Sequence, residues 1–339
     1  MTLIDHPVEA RATTNVETMT MAAALNRALA DAMAADESVL MFGEDVGALG
    51  GVFRITDGLT ARFGEKRCFD TPLAESGIMG FAVGLAMNGM RPVVEMQFDA
   101  FAYPAFEQVV SHVAKLGNRT RGALRMPIVI RVPFGGGIGG VEHHCDSSEA
   151  YYAHTPGLTV VCPATPQDAY SMLRAAIDSP DPVVFLEPKK LYWSKGPVDT
   201  SVRETLGHAR TVRDGSDVTL ISYGSSVQIA LDAASVASTE ARSVRVVDVR
   251  TLTPCDDDTI FAAVRATGRA VVVAEAAGFA SVAAELVARI QENCFSFLEA
   301  PVLRVTGFDV PFAPPKLEKY YLADVDRVLD AIDALGWDS

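Results

Sequence analysis

The chain is short of positive charge: 29 Lys and Arg stand against 43 Asp and Glu, a formal net charge of −14 over 339 residues. Phosphate polymers and anionic membranes repel such a surface, so neither nucleic acid nor a membrane is expected as a partner. Long apolar runs are missing too. None reaches the ~18 residues of a membrane-crossing helix, and the polar stretch Met1 to Asn15 lacks the apolar core of a secretory signal. A soluble, cytoplasmic protein is the expectation. Cysteine is scarce: Cys68, Cys145, Cys162, Cys255 and Cys294 make an odd count with no CxxC pair. Reduced thiols are expected rather than a disulfide framework. Also absent are GxSxG, HExxH, any low-complexity segment and any short repeat, so the serine-hydrolase elbow and the zincin motif are excluded.

What is present is ordinary for a globular protein, 49% hydrophobic and 21% charged. The length suits two domains of about 100–200 residues each. Thr20 can cap a helix whose apolar residues Met21, Leu25, Leu29 and Met33 recur every fourth position. Apolar strands are expected over 39–42, 91–98, 127–132, 158–162 and 183–186, with helices over 76–88, near 104–113, and from 166 onward behind Thr165-Pro166-Gln167-Asp168. A second alternation follows, with strands over 218–223, 244–249, 270–274 and 302–305 and helices over 227–236, 257–266, 282–292 and 324–335. Apolar strands alternating with amphipathic helices indicate parallel sheets covered on both faces. The reading is α/β, two domains with mainly parallel sheets: a flexible segment over 1–17, a first domain over 18–188, a polar linker over 189–214 and a second domain over 215–339.

Three places could carry chemistry. The cluster Gly135-Gly136-Gly137-Ile138-Gly139-Gly140 follows a strand, but it lacks the Lys-Ser/Thr of a P-loop and the dinucleotide spacing. A flexible or closely packed loop is expected there, with no nucleotide. His143-His144 comes just after it, on the carboxyl side of a strand, where open α/β sheets bind ligands. Consecutive residues rarely converge on one ion, so no metal is assigned, and one His is either ligand-contacting or structural. Glu75 opens a very apolar helix that carries Gly77, Gly80 and Gly84, with Gly89 just beyond. Each glycine costs a helix about 1 kcal/mol relative to alanine, so close packing against another backbone, as at a subunit interface, is expected. A carboxyl at such a buried edge would have a raised pKa and marks a functional position; a first-turn acid favoured by the helix dipole is the plain alternative.

Several long stretches resemble the beta subunits of the pyruvate and branched-chain 2-oxo acid dehydrogenase complexes: MFGEDVGALGGVFR, RCFDTPLAESGIMGFAVGLAMNGMRPVVEMQF, YPAFEQVVSHVAK, VEHHCDSSEA and PVVFLEPKKLY. The likeness runs from about Thr18 to the C-terminus. It implies a domain that binds the pyrimidine of thiamine diphosphate, followed by a transketolase C-terminal-like domain. By resemblance, Glu75 would hydrogen-bond the pyrimidine N1′ and favour the tautomer whose 4′-nitrogen takes the thiazolium C2 proton. Phe101 would pack on the pyrimidine and Leu73 would line it. His144, matching the HSxSxE pattern better than His143 does, would help hand the acyl group to the lipoyl arm of a partner acyltransferase. Glu44 would be an interface acid linking two cofactor sites, or merely a turn carboxylate.

The GDG motif that anchors Mg²⁺ and the diphosphate is missing; in the family it belongs to the alpha subunit, which implies a split site and an α2β2 heterotetramer. Carbonyls near Ile128 and around 176–181 match a potassium site of some relatives. After Ala274-Glu275, where relatives carry a glycine-bearing turn, the chain reads Ala280-Ser281-Val282-Ala283-Ala284, which puts acyltransferase docking in question. EMQF followed by YPAFEQVV points to a branched-chain 2-oxo acid as substrate, ahead of pyruvate or acetoin. A non-catalytic scaffold subunit is the alternative of another class, and the joint presence of Glu75, Phe101 and His144 speaks against it.

Overall fold

The computed structural model describes residues 16–336. The expected flexible segment over 1–17 therefore lies outside the described residues, apart from Val16 and Glu17. These two begin the strand Val16–Thr20, which pairs antiparallel with Lys195–Asp199.

The first sheet has seven strands, in the order Thr251–Thr253, Thr159–Val161, Val183–Pro188, Val129–Phe134, Arg91–Glu95, Val39–Gly43 and Cys68–Asp70. All neighbours run parallel except the Thr251–Thr253 edge. Val39–Gly43, Val129–Phe134 and Val183–Pro188 are buried at every residue, as a sheet covered on both faces requires. Helix Met21–Ala35 begins where Thr20 accepts a hydrogen bond from the Ala23 amide, and helix Pro166–Asp178 where Thr165 accepts from Asp168. These two helices cover one face. Helix Glu75–Met87 and the segment Tyr103–Val113 cover the other; the latter starts as α-helix and ends in a π-helical turn from Val109 to Val113.

The second sheet orders its strands Leu303–Gly307, Ala270–Ala277, Val218–Ser222, Val244–Asp248 and Arg210–Arg213, parallel but for the last. The stretch expected as an irregular linker thus contributes two strands, Lys195–Asp199 and Arg210–Arg213. Both are short polar edges whose residues show no apolar period. The turn after Glu275 also differs from expectation. Strand Ala270–Ala277 runs on past Glu275, and the turn does carry a glycine, Gly278, whose added Cβ would lie 2.9 Å from the Thr306 hydroxyl.

The two domains share one core. Strand Thr251–Thr253, from the second half of the chain, edges the first sheet. Asp168, fully buried, takes Arg210 at 2.7 Å and Arg250 at 3.1 Å, and Arg250 also reaches Glu204 at 2.9 Å. Tyr223 donates to the buried Glu149 carboxylate at 2.8 Å. Burial lifts that carboxyl to about 7.

Candidate functional site

Parallel strands deliver their following loops to one edge of the sheet, and open α/β proteins bind ligands there. Glu44 follows strand Val39–Gly43, Glu75 follows Cys68–Asp70, Phe101 follows Arg91–Glu95 and His144 follows Val129–Phe134. The structure therefore gathers all four at the carboxyl ends of four adjacent strands.

At one end stand two carboxylates. Glu44 is buried, and its Oε1 accepts from no donor of the described chain. Burial first, and then the negative charges of Glu75 and Asp45, raise its carboxyl above the usual range. The Glu44 turn is fixed from beneath and beside. An added Cβ at Gly43 would meet the Glu95 carbonyl at 2.5 Å, so only glycine fits there. Gly47 donates to Asp70 at 2.6 Å, and Gln97 donates to Asp45 at 2.9 Å. Glu75 is the first residue of its helix and is half-buried rather than set at a closed edge. Leu73, two residues earlier, is 80% exposed.

The glycines behind Glu75 meet little among the described residues. Added Cβ atoms at Gly80 and Gly84 would have no neighbour within 4 Å, and one at Gly77 only Ala74. Among the described residues nothing packs on Gly80 and Gly84, and Phe81 and Met87 beside them are exposed.

At the other end is an aromatic cluster. The His144 imidazole stands edge-on to Phe98 at 4.4 Å between ring centres and to Phe101 at 5.4 Å, while Phe98 and Phe101 are 5.4 Å apart. Burial first, then the charges of His143 and Lys189, hold His144 below the usual imidazole value, so it is neutral near pH 7. His143 is exposed and stacks loosely over Phe101 at 6.0 Å. Tyr103 donates to Asp146 at 2.8 Å and ties the Phe101 turn to the His144 loop.

The glycine cluster is closely packed at Gly135 and Gly136 and exposed from Gly137 to Gly139, and the protein's own carboxylates take three of its amides. Gly136 donates to Glu275, and Gly137 and Gly139 donate to Glu318 at 2.6 and 3.2 Å. Added Cβ atoms at Gly136 and Gly137 would strike Phe312 at 2.5 Å and Lys190 at 2.7 Å. Loop and second domain thus form one wall behind His144. The five cysteines are all unpaired. The carbonyls matched to a potassium site have partners already: Ile128 accepts from Val183, and Arg91 takes Ile177 and Ser179 at 2.9 and 3.1 Å. A guanidinium thus donates to two of these carbonyls. Among the described residues no group of three or more His, Cys, Asp and Glu is arranged to hold a metal.

Sequence reasoning missed Phe98, Asp99 and Lys189. A lysine is exposed by default, so nothing in the string PKKLY told that Lys189 is 1% exposed. A groove of about 1210 Å³ between the domains, lined by Phe106, Tyr151, Leu252 and Leu286, includes none of the four site residues.

Residues 17–194 match the model of the transketolase pyrimidine-binding domain, and 207–328 that of the transketolase C-terminal domain. The chain is 56% identical over 319 residues to the 3-methyl-2-oxobutanoate dehydrogenase subunit beta of Mycobacterium tuberculosis, covering 94% of this chain and 92% of that one. It is 52% identical over 328 residues to the pyruvate dehydrogenase E1 component subunit beta of Leifsonia xyli subsp. xyli, at 96% and 97% coverage. For the same subunit of Bacillus subtilis the identity is 47%, at 92% and 97%. Among solved structures, a split-gene transketolase in an inactive beta4 tetramer superposes with a TM-score of 0.77 at 23% identity, covering 94% of this chain and 98% of that one, a likeness of fold.

Proposed function

The chain belongs to the family of the 2-oxo acid dehydrogenase beta subunits, and from that premise we propose that its strand-end cluster is half of a thiamine-diphosphate site which a separate alpha subunit completes. The observation that carries this reading is the carboxylate pair. A buried Glu44 oxygen without a donor, facing Glu75 beside an 80% exposed Leu73, is costly unless another molecule brings a donor and covers the leucine. An aminopyrimidine ring offers the donor, and an apolar edge for Leu73. Phe101, half-buried at the next strand end, offers an aromatic face. The residues present therefore fit the pyrimidine. No GDG stands in the sequence to fit the diphosphate or Mg²⁺, which the alpha subunit would hold.

When bound, thiamine diphosphate supplies the nucleophile and the electron sink for loss of carbon dioxide. The protein's part is proton control. Glu75 would hold or release a proton at a ring nitrogen of the bound pyrimidine, and the neighbouring Glu44, whose carboxyl burial and the charge of Glu75 raise above the usual range, stands beside it as a second acid. His144, neutral at working pH, is free to accept a proton as the acyl group moves to a lipoyl arm of a partner acyltransferase. The open glycine face of helix Glu75–Met87 suits close approach by another subunit of an α2β2 assembly. A branched-chain 2-oxo acid is the proposed substrate, pyruvate the second reading, and the cytoplasm the proposed compartment. Among the described residues no helix is long and apolar enough to cross a membrane.

Decarboxylation measured with thiamine diphosphate and Mg²⁺, by this chain alone and co-expressed with an alpha subunit, tests the split site. Activity only in the pair supports it, and turnover by the chain alone overturns it. Branched-chain acids and pyruvate run side by side decide the substrate. His144→Ala should lower transfer to lipoyl by about 10²-fold while decarboxylation, followed with an artificial electron acceptor, stays near normal. An unchanged overall rate in the reconstituted complex would remove His144 from the transfer step.

A further inference from the structure

Lys189 directly follows the inner strand Val183–Pro188 and lies against the aromatic cluster. It is 1% exposed, yet its ammonium donates to no oxygen of the described chain. Nζ stands 5.9 Å from the centre of the Phe98 ring, the same ring that carries His144 at 4.4 Å and Phe101 at 5.4 Å. Burying a cation without a direct partner costs several kcal/mol, whereas a methionine of similar volume would fill the space without that cost. A packing role alone does not explain a lysine here.

The charges around it come from both domains. Asp99, fully buried just before Phe101, accepts from the Ser148 amide at 3.3 Å and leaves Oδ1 without a donor. Glu275 reaches in from the second sheet and Asp146 from the His144 loop, while the Cys145 thiol beside them is pushed up to about 11 by burial and carries no charge near neutral pH. The acids oppose the pull of burial, which still leaves the ammonium below its ordinary value. Facing His144 itself are His143 and Glu142 on its own turn and Lys189 from the strand end. Lys189 is thus the one cation from another element whose charge bears on the imidazole.

We propose that Lys189 is a positioning residue for His144: its buried ammonium, seated against Phe98, fixes the wall on which the imidazole stands and places a cation behind it. Lys189 touches neither substrate nor cofactor in this account and acts through Phe98 and through its field. The inference deepens the reading of His144 as the transfer residue and rests on it for its meaning.

The test titrates His144 without turnover. Assembled enzyme carrying wild-type beta, Lys189→Met, Lys189→Gln or Lys189→Arg is treated with diethyl pyrocarbonate across pH 5 to 8. Modification of His144 is read separately from His143 by fragmenting the peptide in a mass spectrometer. Loss of the cation favours the protonated, unreactive imidazole. Relative to wild type, Lys189→Met should therefore be modified about threefold more slowly at the acid end of the range, with its midpoint moved to higher pH. Lys189→Arg should keep the wild-type midpoint. Lys189→Gln removes the charge behind a polar head and serves if the methionine variant does not assemble. Superimposable curves for all forms would overturn the proposal, and so would equal displacement by arginine and by the uncharged residues, since that is disturbed packing. Because no turnover is read, a failure here leaves the transfer role of His144 to be judged by His144→Ala alone.

Discussion

Replacing Glu75 by Gln in the assembled enzyme should lower decarboxylation by about 10²–10⁴-fold, the range for removing a positioned acid or base, while the subunits still associate and melt near the wild-type temperature. The split between chemistry and stability follows from the position of the residue. Glu75 is the first residue of helix Glu75–Met87, half-buried, with no hydrogen bond or ion pair to any described residue. Its carboxylate therefore contributes to the fold only through the helix dipole, about 0.3–1 kcal/mol at most. Glutamine keeps the shape but cannot take up or release a proton. The charge of Glu75 also helps hold the Glu44 carboxyl above its usual range, so Glu75→Gln should move Glu44 toward an ordinary value. Loss of activity with retained assembly and retained binding of thiamine diphosphate would match the proton role. Near-normal turnover would sink it, and loss of assembly would mean that Glu75 is an interface residue instead.

The layers of the fold were legible because burial imposes a period. Helix Met21–Ala35 announces itself by Thr20 and by apolar residues four apart, and it begins where the cap says it should. Val39–Gly43 and Val183–Pro188 are apolar runs that only a doubly covered strand explains. Edges escape this logic: Lys195–Asp199, Arg210–Arg213 and Thr251–Thr253 are short, partly wet and paired antiparallel through backbone groups that every residue carries. The site was legible in a different way. Glu75 and the His143-His144 pair stand out by their places in the chain, whereas Glu44, Phe101 and the choice of His144 come from resemblance, and the strand order explains why residues up to 100 positions apart in sequence share one rim. What stayed hidden is what supports them. Neither Lys189 under Phe98 nor the two carboxylates on Arg131 follow a pattern, because a buried charge has no period and is specified only by its partners in space.

Arg131→Leu is expected to be the most destabilising single change in the first domain, by about 3–5 kcal/mol, the cost of stranding a buried charge partner. Arg131 sits mid-sheet with no exposed surface. It donates to Glu187 at 2.7 and 3.0 Å and to Glu95 at 2.6 Å, while Tyr192 donates to Glu187 at 2.7 Å. Leucine fills much of the volume but leaves two carboxylates facing each other out of water. Glu95 already has its carboxyl raised by burial, with Arg131 as the main restraint; without the guanidinium it keeps its proton to higher pH still. In that variant the native state holds a proton that the unfolded chain has released, so stability falls as pH rises from the ordinary carboxylate range toward the folded value. The gap in melting temperature between wild type and Arg131→Leu should therefore be smaller at pH 5 than at pH 8. Activity should fall with it, because Glu95 lies under the turn that carries Glu44: an added Cβ at Gly51 would lie 2.9 Å from its Oε1. Thermal denaturation at the two pH values separates charge from packing. A penalty that is equal at both would assign the loss to a poorly filled core, and it would also free the Glu44 turn from any dependence on the ion pair beneath it.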